Sequence, residues 1–173
     1  MLIAMAGLPG SGKSTLAVRI AVASGGVVLS KDVVRAALFA AAVLDYSSEQ
    51  DEIAMTAVYQ AAAYLLKTRP AIPVFLDGRT FSKAGQLDSA ASIAAEARQP
   101  FRVIECVCAP DVARARVAAD HAAAAHLAGN RTPDLYDRVR ANAVPLTVPR
   151  LTIDTGALTL NECVAQALAY LGG

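Results

Sequence analysis

The chain has 173 residues, enough for one domain with a full hydrophobic core and too few for a second of ordinary size beside it. Its formal net charge of +1 argues against long nucleic acid as the main partner, and its three irregularly spaced cysteines argue against a disulfide framework. No run of about 18 apolar residues offers a membrane span, and the N-terminus lacks the basic start and cleavage site of a secretory leader, so a cytoplasmic address is expected.

Leu2-Ile3-Ala4-Met5-Ala6 is short, apolar and bounded by glycine, as a buried parallel strand would be. Lys13 to Ser24 reads as a helix closed by Gly25-Gly26. Val27-Val28-Leu29 is a second strand, and Asp32 to Val43 a helix with Asp32 near its start. A long helix is expected from about Ser48, its N-cap, to Arg69, ended by Pro70. Its apolar stripe runs through Met55, Val58, Tyr59, Ala62, Leu65 and Leu66.

Pro73 to Leu76 forms a third strand stopped by Asp77-Gly78, and Ser82 to Arg98 a helix. Phe101 to Cys108 is a fourth strand, and Pro110 opens the next helix from a first-turn position. Asn130 to Pro133 breaks that helix, Asp134 to Asn142 forms a short one, Leu151 to Ile153 a fifth strand, and Leu160 to Leu171 the last helix. Strands alternating with helices mean βαβ units and a parallel sheet covered on both faces. Ligands bind such sheets beyond the carboxyl ends of the strands. The candidate functional groups therefore follow strands: Gly7 to Thr15, Ser30 to Arg35, Asp77 to Thr80, and the segment after Cys108.

The first group, GLPGSGKST, matches GxxxxGK[ST] in full, after a strand and at the opening of a helix. Glycines at 7, 10 and 12 let the backbone wrap an anion, with successive N–H groups turned inward and the positive end of a helix dipole beneath. Gly7, Leu8, Pro9, Gly10, Ser11, Gly12, Lys13, Ser14 and Thr15 are thus the expected nucleoside triphosphate cradle. Lys13 is expected to reach the β- and γ-phosphates, Ser14 to ligate Mg²⁺, and Thr15 to meet the α-phosphate.

With LSKDVVRAALF (29–39), FLDGRTFS (75–82), ECVCAPDVARARV (105–117) and the tail PRLTIDTG, the chain resembles small P-loop kinases of the predicted-kinase and zeta-toxin-like type, near polynucleotide and gluconate-type kinases. The resemblance implies a single three-layer αβα P-loop NTPase domain over 1–173. Its five-stranded parallel sheet would run in the order 2-3-1-4-5, with a helical lid at about 110–133. It also implies an ATP- and Mg²⁺-dependent phosphotransferase acting on a hydroxyl-bearing small molecule, as monomer or homodimer.

In that family the Asp after the second strand is the general base, which is Asp32 here, and Arg35 one turn on orients the acceptor. Asp77, at a strand end, is expected near the Mg²⁺ shell or the acceptor, with Arg79 and Thr80 beside the acceptor. Arg114 is the expected lid arginine, with Arg131 also over the phosphates. Arg114 and Arg116 lie about 200° apart on a helix, so both cannot face one phosphate, and Arg116 has Asp120 one turn on. Which of Arg114, Arg116 and Arg131 covers the phosphate stays open. Thr155-Gly156-Ala157 corresponds to the family's adenine border.

Cys106 and Cys108 read as buried small residues, and His121 and His126 are poorly spaced for a metal. Tyr46, Tyr59 and Tyr64 fit core or acceptor pocket. Two other readings stand: a polynucleotide 5′-hydroxyl kinase, which the D-x-x-R of Asp32 and Arg35 supports, and a nucleotide-dependent switch with no acceptor. Nothing in the sequence names the acceptor, and no guanine-reading N-K-x-D motif is present.

Overall fold

All five residues of β1 (Leu2–Ala6) are buried, which a strand achieves only when layers cover both faces of its sheet. The structure, a computed structural model, describes residues 1–83, 85–123 and 132–172. β1 is the middle of five parallel strands. Beside it lie β3 (Val74–Asp77) and β4 (Phe101–Val107), with β2 (Val27–Ser30) outside β3 and β5 (Leu151–Asp154) outside β4. The order 2-3-1-4-5 is the one expected. Ser30 pairs with Asp77 and Val107 with Asp154, so neighbouring strands end level and their loops share one edge.

Alternate residues of β1 enter opposite cores, as the period of two requires. Leu2 and Ala4 join Leu76 and Val103 beneath α3 (Ser48–Thr68) and α4 (Gln86–Glu96), through Met55, Val58, Leu66 and Leu87. Ile3 and Met5 join Phe75, Ile104 and Ile153 beneath α1 (Lys13–Ser24) and α7 (Leu160–Gly172), through Leu16, Ile20 and Ala167. Two further helices, α5 (Pro110–Ala122) and α6 (Pro133–Ala141), pack on each other over Ala113, Val117 and Tyr136. No helix among the described residues is long and apolar enough to cross a membrane.

Several boundaries differ from expectation, and three of the differences have an identifiable cause. The helix after β2, α2 (Lys31–Leu38), stops at the extended Phe39, and Ala41–Val43 is a separate 3₁₀ turn. The buried Gln50 side chain donates to Val43 O at 2.7 Å and accepts from Asp45 N at 3.1 Å, replacing bonds a continued helix would have made. α3 is capped by Ser47, whose Oγ accepts from Gln50 N at 3.2 Å, not by Ser48. α4 begins four residues late, because the chain before it is tied elsewhere: Gly7 N donates to Thr80 O at 3.0 Å and Val144 N to Ser82 O at 2.8 Å. Phe81 between them has φ 55, incompatible with a helix.

Candidate active site

The loop from β1 to α1 turns on Gly7, Gly10 and Gly12, all at positive φ (134°, 78° and 78°). At Gly10 nothing larger fits, since a Cβ would come within 2.3 Å of Ala113 O on α5. Gly12 is the N-cap of α1 and carries no side-chain cap, so the first N–H groups of α1 stay open to an anion. Lys13 is buried, and its Nζ bends back toward Leu8 O at 3.4 Å.

Two cavities meet at this loop, and Lys13 and Ser14 line both. The first, about 600 Å³, runs from Pro9 past Asp32 and Arg35 to Arg79, Thr80 and α6. The second, about 440 Å³, lies between Gly10, Gly12, Thr15, Arg116, Thr155 and Leu158. Gly7, Leu8 and Ser11 face a third, smaller cavity of about 230 Å³ behind the loop, with Cys106, Cys108 and Tyr136. The Ser11 hydroxyl there is buried with no hydrogen-bond partner among the described residues.

In the first cavity Asp32 does not stand alone. Arg35 Nη2 donates to Asp32 Oδ1 at 2.9 Å, and its Nη1 donates to Asp51 at the start of α3. Lys31 Nζ donates to Asp51 Oδ2 at 2.8 Å and lies 3.7 Å from Asp32 Oδ1. Arg35 is buried and its guanidinium stacks 4.7 Å over the Tyr46 ring. Its donors thus go first to carboxylates, and it fixes where Asp32 points. Arg79 pairs with Glu52, and Thr80 Oγ1 shares a 2.7 Å hydrogen bond with Ser82 Oγ. Asp77, at the end of β3, is buried, and its Oδ1 has no hydrogen-bond partner among the described residues. A carboxylate oxygen so placed fits a water or cation, although no group of three or more His, Cys, Asp or Glu among the described residues could hold a metal alone.

The two described arginines of α5 separate. Arg114 Nε donates to Asp137 on α6 at 3.2 Å, is half-exposed, and lines neither large cavity. Arg116 lines the second cavity, donating to Gly10 O at 3.3 Å, Thr155 Oγ1 at 3.1 Å and Thr155 O at 3.0 Å. The expected lid arginine, Arg114, therefore sits away from the cradle and its neighbour sits on it. Arg131 and His126 lie outside the described residues. Burial pushes the Cys106 thiol up to about 12, with the Lys13 charge opposing, and raises Cys108 as well. Neither carries a thiolate at neutral pH, in line with packing roles.

The sequence from residue 2 to residue 131 matches the family model described as AAA domain. The chain belongs to this AAA domain family. No curated protein sequence matches it. Among solved structures it is similar to a candidate kinase from Chloroflexus aurantiacus, at 24% identity and TM-score 0.76, over 97% of this chain and 96% of that one. It is also similar to Chaetomium thermophilum Kti12 in complex with ADP-AlF3 (19% identity, TM-score 0.71, 100% of both chains). A third is the APS kinase of Mycobacterium tuberculosis in complex with AMPPNP and APS (19% identity, TM-score 0.70, 99% of this chain and 97% of that one). These likenesses establish the P-loop kinase fold. Within the AAA domain family member described here, Lys31, Asp51 and Arg116 join the residues expected at the site. Asp51 had no local signal in the sequence, because only the packing of α2 on α3 brings it to Arg35.

Proposed function

We propose that the chain transfers the γ-phosphoryl group of ATP to a hydroxyl of a small-molecule acceptor. The observation that carries this reading is the pair of cavities sharing Lys13 and Ser14. A phosphate held there is open to a nucleoside on the Thr155 side and to a second molecule on the Asp32 side. A nucleotide switch needs the second cavity, on the Thr155 side, but not the first, on the Asp32 side. The fold of kinases and the nucleotide complexes of two similar structures support the donor side.

In this reading the open N–H groups of the cradle and Lys13 hold the β- and γ-phosphates, and Thr15 borders the α-phosphate. Ser14 and the unpartnered oxygen of Asp77 would hold Mg²⁺, which supplies charge neutralisation between the β- and γ-phosphates. Asp32 accepts the proton of the acceptor hydroxyl, the freed oxygen bonds to the γ-phosphorus, and the bond from that phosphorus to the β-γ bridging oxygen breaks to release ADP. Lys31 and Arg35 hold Asp32 in place, Arg79 and Thr80 border the acceptor, and Arg116 faces the donor with its positive charge. Arg114 takes no part.

Phosphorus NMR of ATP incubated with the protein, Mg²⁺ and a panel of sugars, nucleosides, aminoglycosides, sugar nucleotides and 5′-hydroxyl oligonucleotides tests the reading. A new phosphomonoester on one acceptor is expected. Inorganic phosphate as the sole product with every acceptor contradicts it and favours the switch.

A further inference from the structure

The first cavity has a charge imbalance that proton abstraction does not use. Its three carboxylates, on Asp32, Asp51 and Glu52, are all engaged by Lys31, Arg35 and Arg79. Lys83 and Arg138 line the same cavity and have no carboxylate partner among the described residues. The segment 124–131 cannot supply one, because it contains no Asp or Glu. Asp137 is paired with Arg114, and Asp134, one turn before Arg138, makes no ion pair with it.

These two cations come from separate elements that the fold ties together. Val144 N, just beyond α6, donates to Ser82 O at 2.8 Å, next to Lys83. Asn142 Nδ2 donates to Arg138 O at 2.8 Å, fixing the end of the helix that carries Arg138. The result is a cationic wall in the cavity that also holds Asp32, on the opposite side of the cradle from the nucleoside cavity.

We infer that Lys83 and Arg138 form a subsite for an anionic group of the acceptor, so that the substrate class is a hydroxyl compound carrying a phosphate or carboxylate. This rests on the phosphotransferase reading. A guanidinium offers two parallel donors to either anion, and an ammonium adds a flexible third contact. Both side chains are exposed, so removing them leaves the core intact.

The test is calorimetric binding to the protein loaded with a non-hydrolysable ATP analogue. The probes are inorganic phosphate and the matched pairs ribose 5-phosphate and ribose, glycerate and glycerol, gluconate and glucose. Inorganic phosphate is expected to bind, and the anionic member of at least one pair to bind tenfold or more tighter than its neutral partner. Lys83→Ala/Arg138→Ala is expected to remove that preference while ATP affinity stays within twofold. Neutral members binding equally well, no probe binding, or the double variant weakening both members alike overturns the subsite. Failure of the kinase reading has a different signature: an anionic acceptor binds with this preference, yet ATP turnover yields no phosphorylated acceptor.

Discussion

Arg116 Nη2 donates to Thr155 O at 3.0 Å, joining α5 to the loop after β5 across the mouth of the second cavity. The same guanidinium reaches Gly10 O, and Thr155 Oγ1 donates onward to Ser11 O at 2.8 Å. One side chain thus locks the cradle to the loop after β5 beside the second cavity. Charge-assisted bonds of this kind are worth roughly 1.5–3 kcal/mol each. Arg116→Ala is expected to weaken ATP binding tenfold or more in a titration. Arg114→Ala removes an exposed ion pair worth under about 1 kcal/mol and should leave ATP affinity within threefold. The reverse ranking would return the lid role to Arg114.

Gly78 lies under the first turn of α2. At its φ of 89°, a Cβ would come 2.9 Å from Lys31 Cβ and 3.1 Å from Asp32 N. The backbone there cannot retreat without moving Asp32. Gly78→Ala is therefore expected to cost about 1–3 kcal/mol in urea unfolding and to lower turnover more than ATP affinity. Unchanged turnover would separate Asp32 from the chemistry.

Much of this site was legible in the chain, and what was not has identifiable causes. The cradle is local: its glycines, lysine and serine must sit at fixed spacing, so the pattern is written in nine consecutive residues. Asp32 and Asp77 were visible because strand ends are. Asp51 was not, since its partners Lys31 and Arg35 belong to another helix and meet it only through tertiary packing. The start of α4 was hidden because bonds from Gly7 and Val144 hold Thr80 and Ser82 out of a helix their sequence permits. Arg114 and Arg116 flank the buried Ala113 and Val117 stripe at about 80° on either side, so periodicity could not choose between them.

Asp51 supplies carboxylate oxygens to both Arg35 and Lys31. Asp51→Ala leaves the buried Arg35 with Asp32 alone. A loss of about 1–3 kcal/mol in urea unfolding is expected, with a fall in turnover as Asp32 loses its fixed direction. A stability change under about 0.5 kcal/mol would show that the network does not hold α2 to α3.

Cys106 gives a pH signature. Its folded value of about 12 lies above the ordinary 9.0, because burial disfavours the thiolate. The unfolded chain therefore releases its proton first. The stabilising contribution is complete below pH 9 and is lost as pH rises toward 12, at up to about 1.4 kcal/mol per pH unit. Cys106→Ala should flatten that part of the stability profile measured by urea unfolding from pH 8 to 11. An equal slope in both proteins would contradict a buried neutral thiol.

The central claim is that Asp32 takes a proton during phosphoryl transfer. It is tested most directly by comparing Asp32→Asn with wild type, measuring acceptor-dependent ATP turnover and ATP affinity together. The amide keeps the size and a hydrogen-bonding oxygen toward Arg35 but cannot act as base. Turnover is expected to fall by roughly 10²–10⁴ with ATP affinity within threefold. Acceptor-dependent turnover within fivefold of wild type would contradict the account.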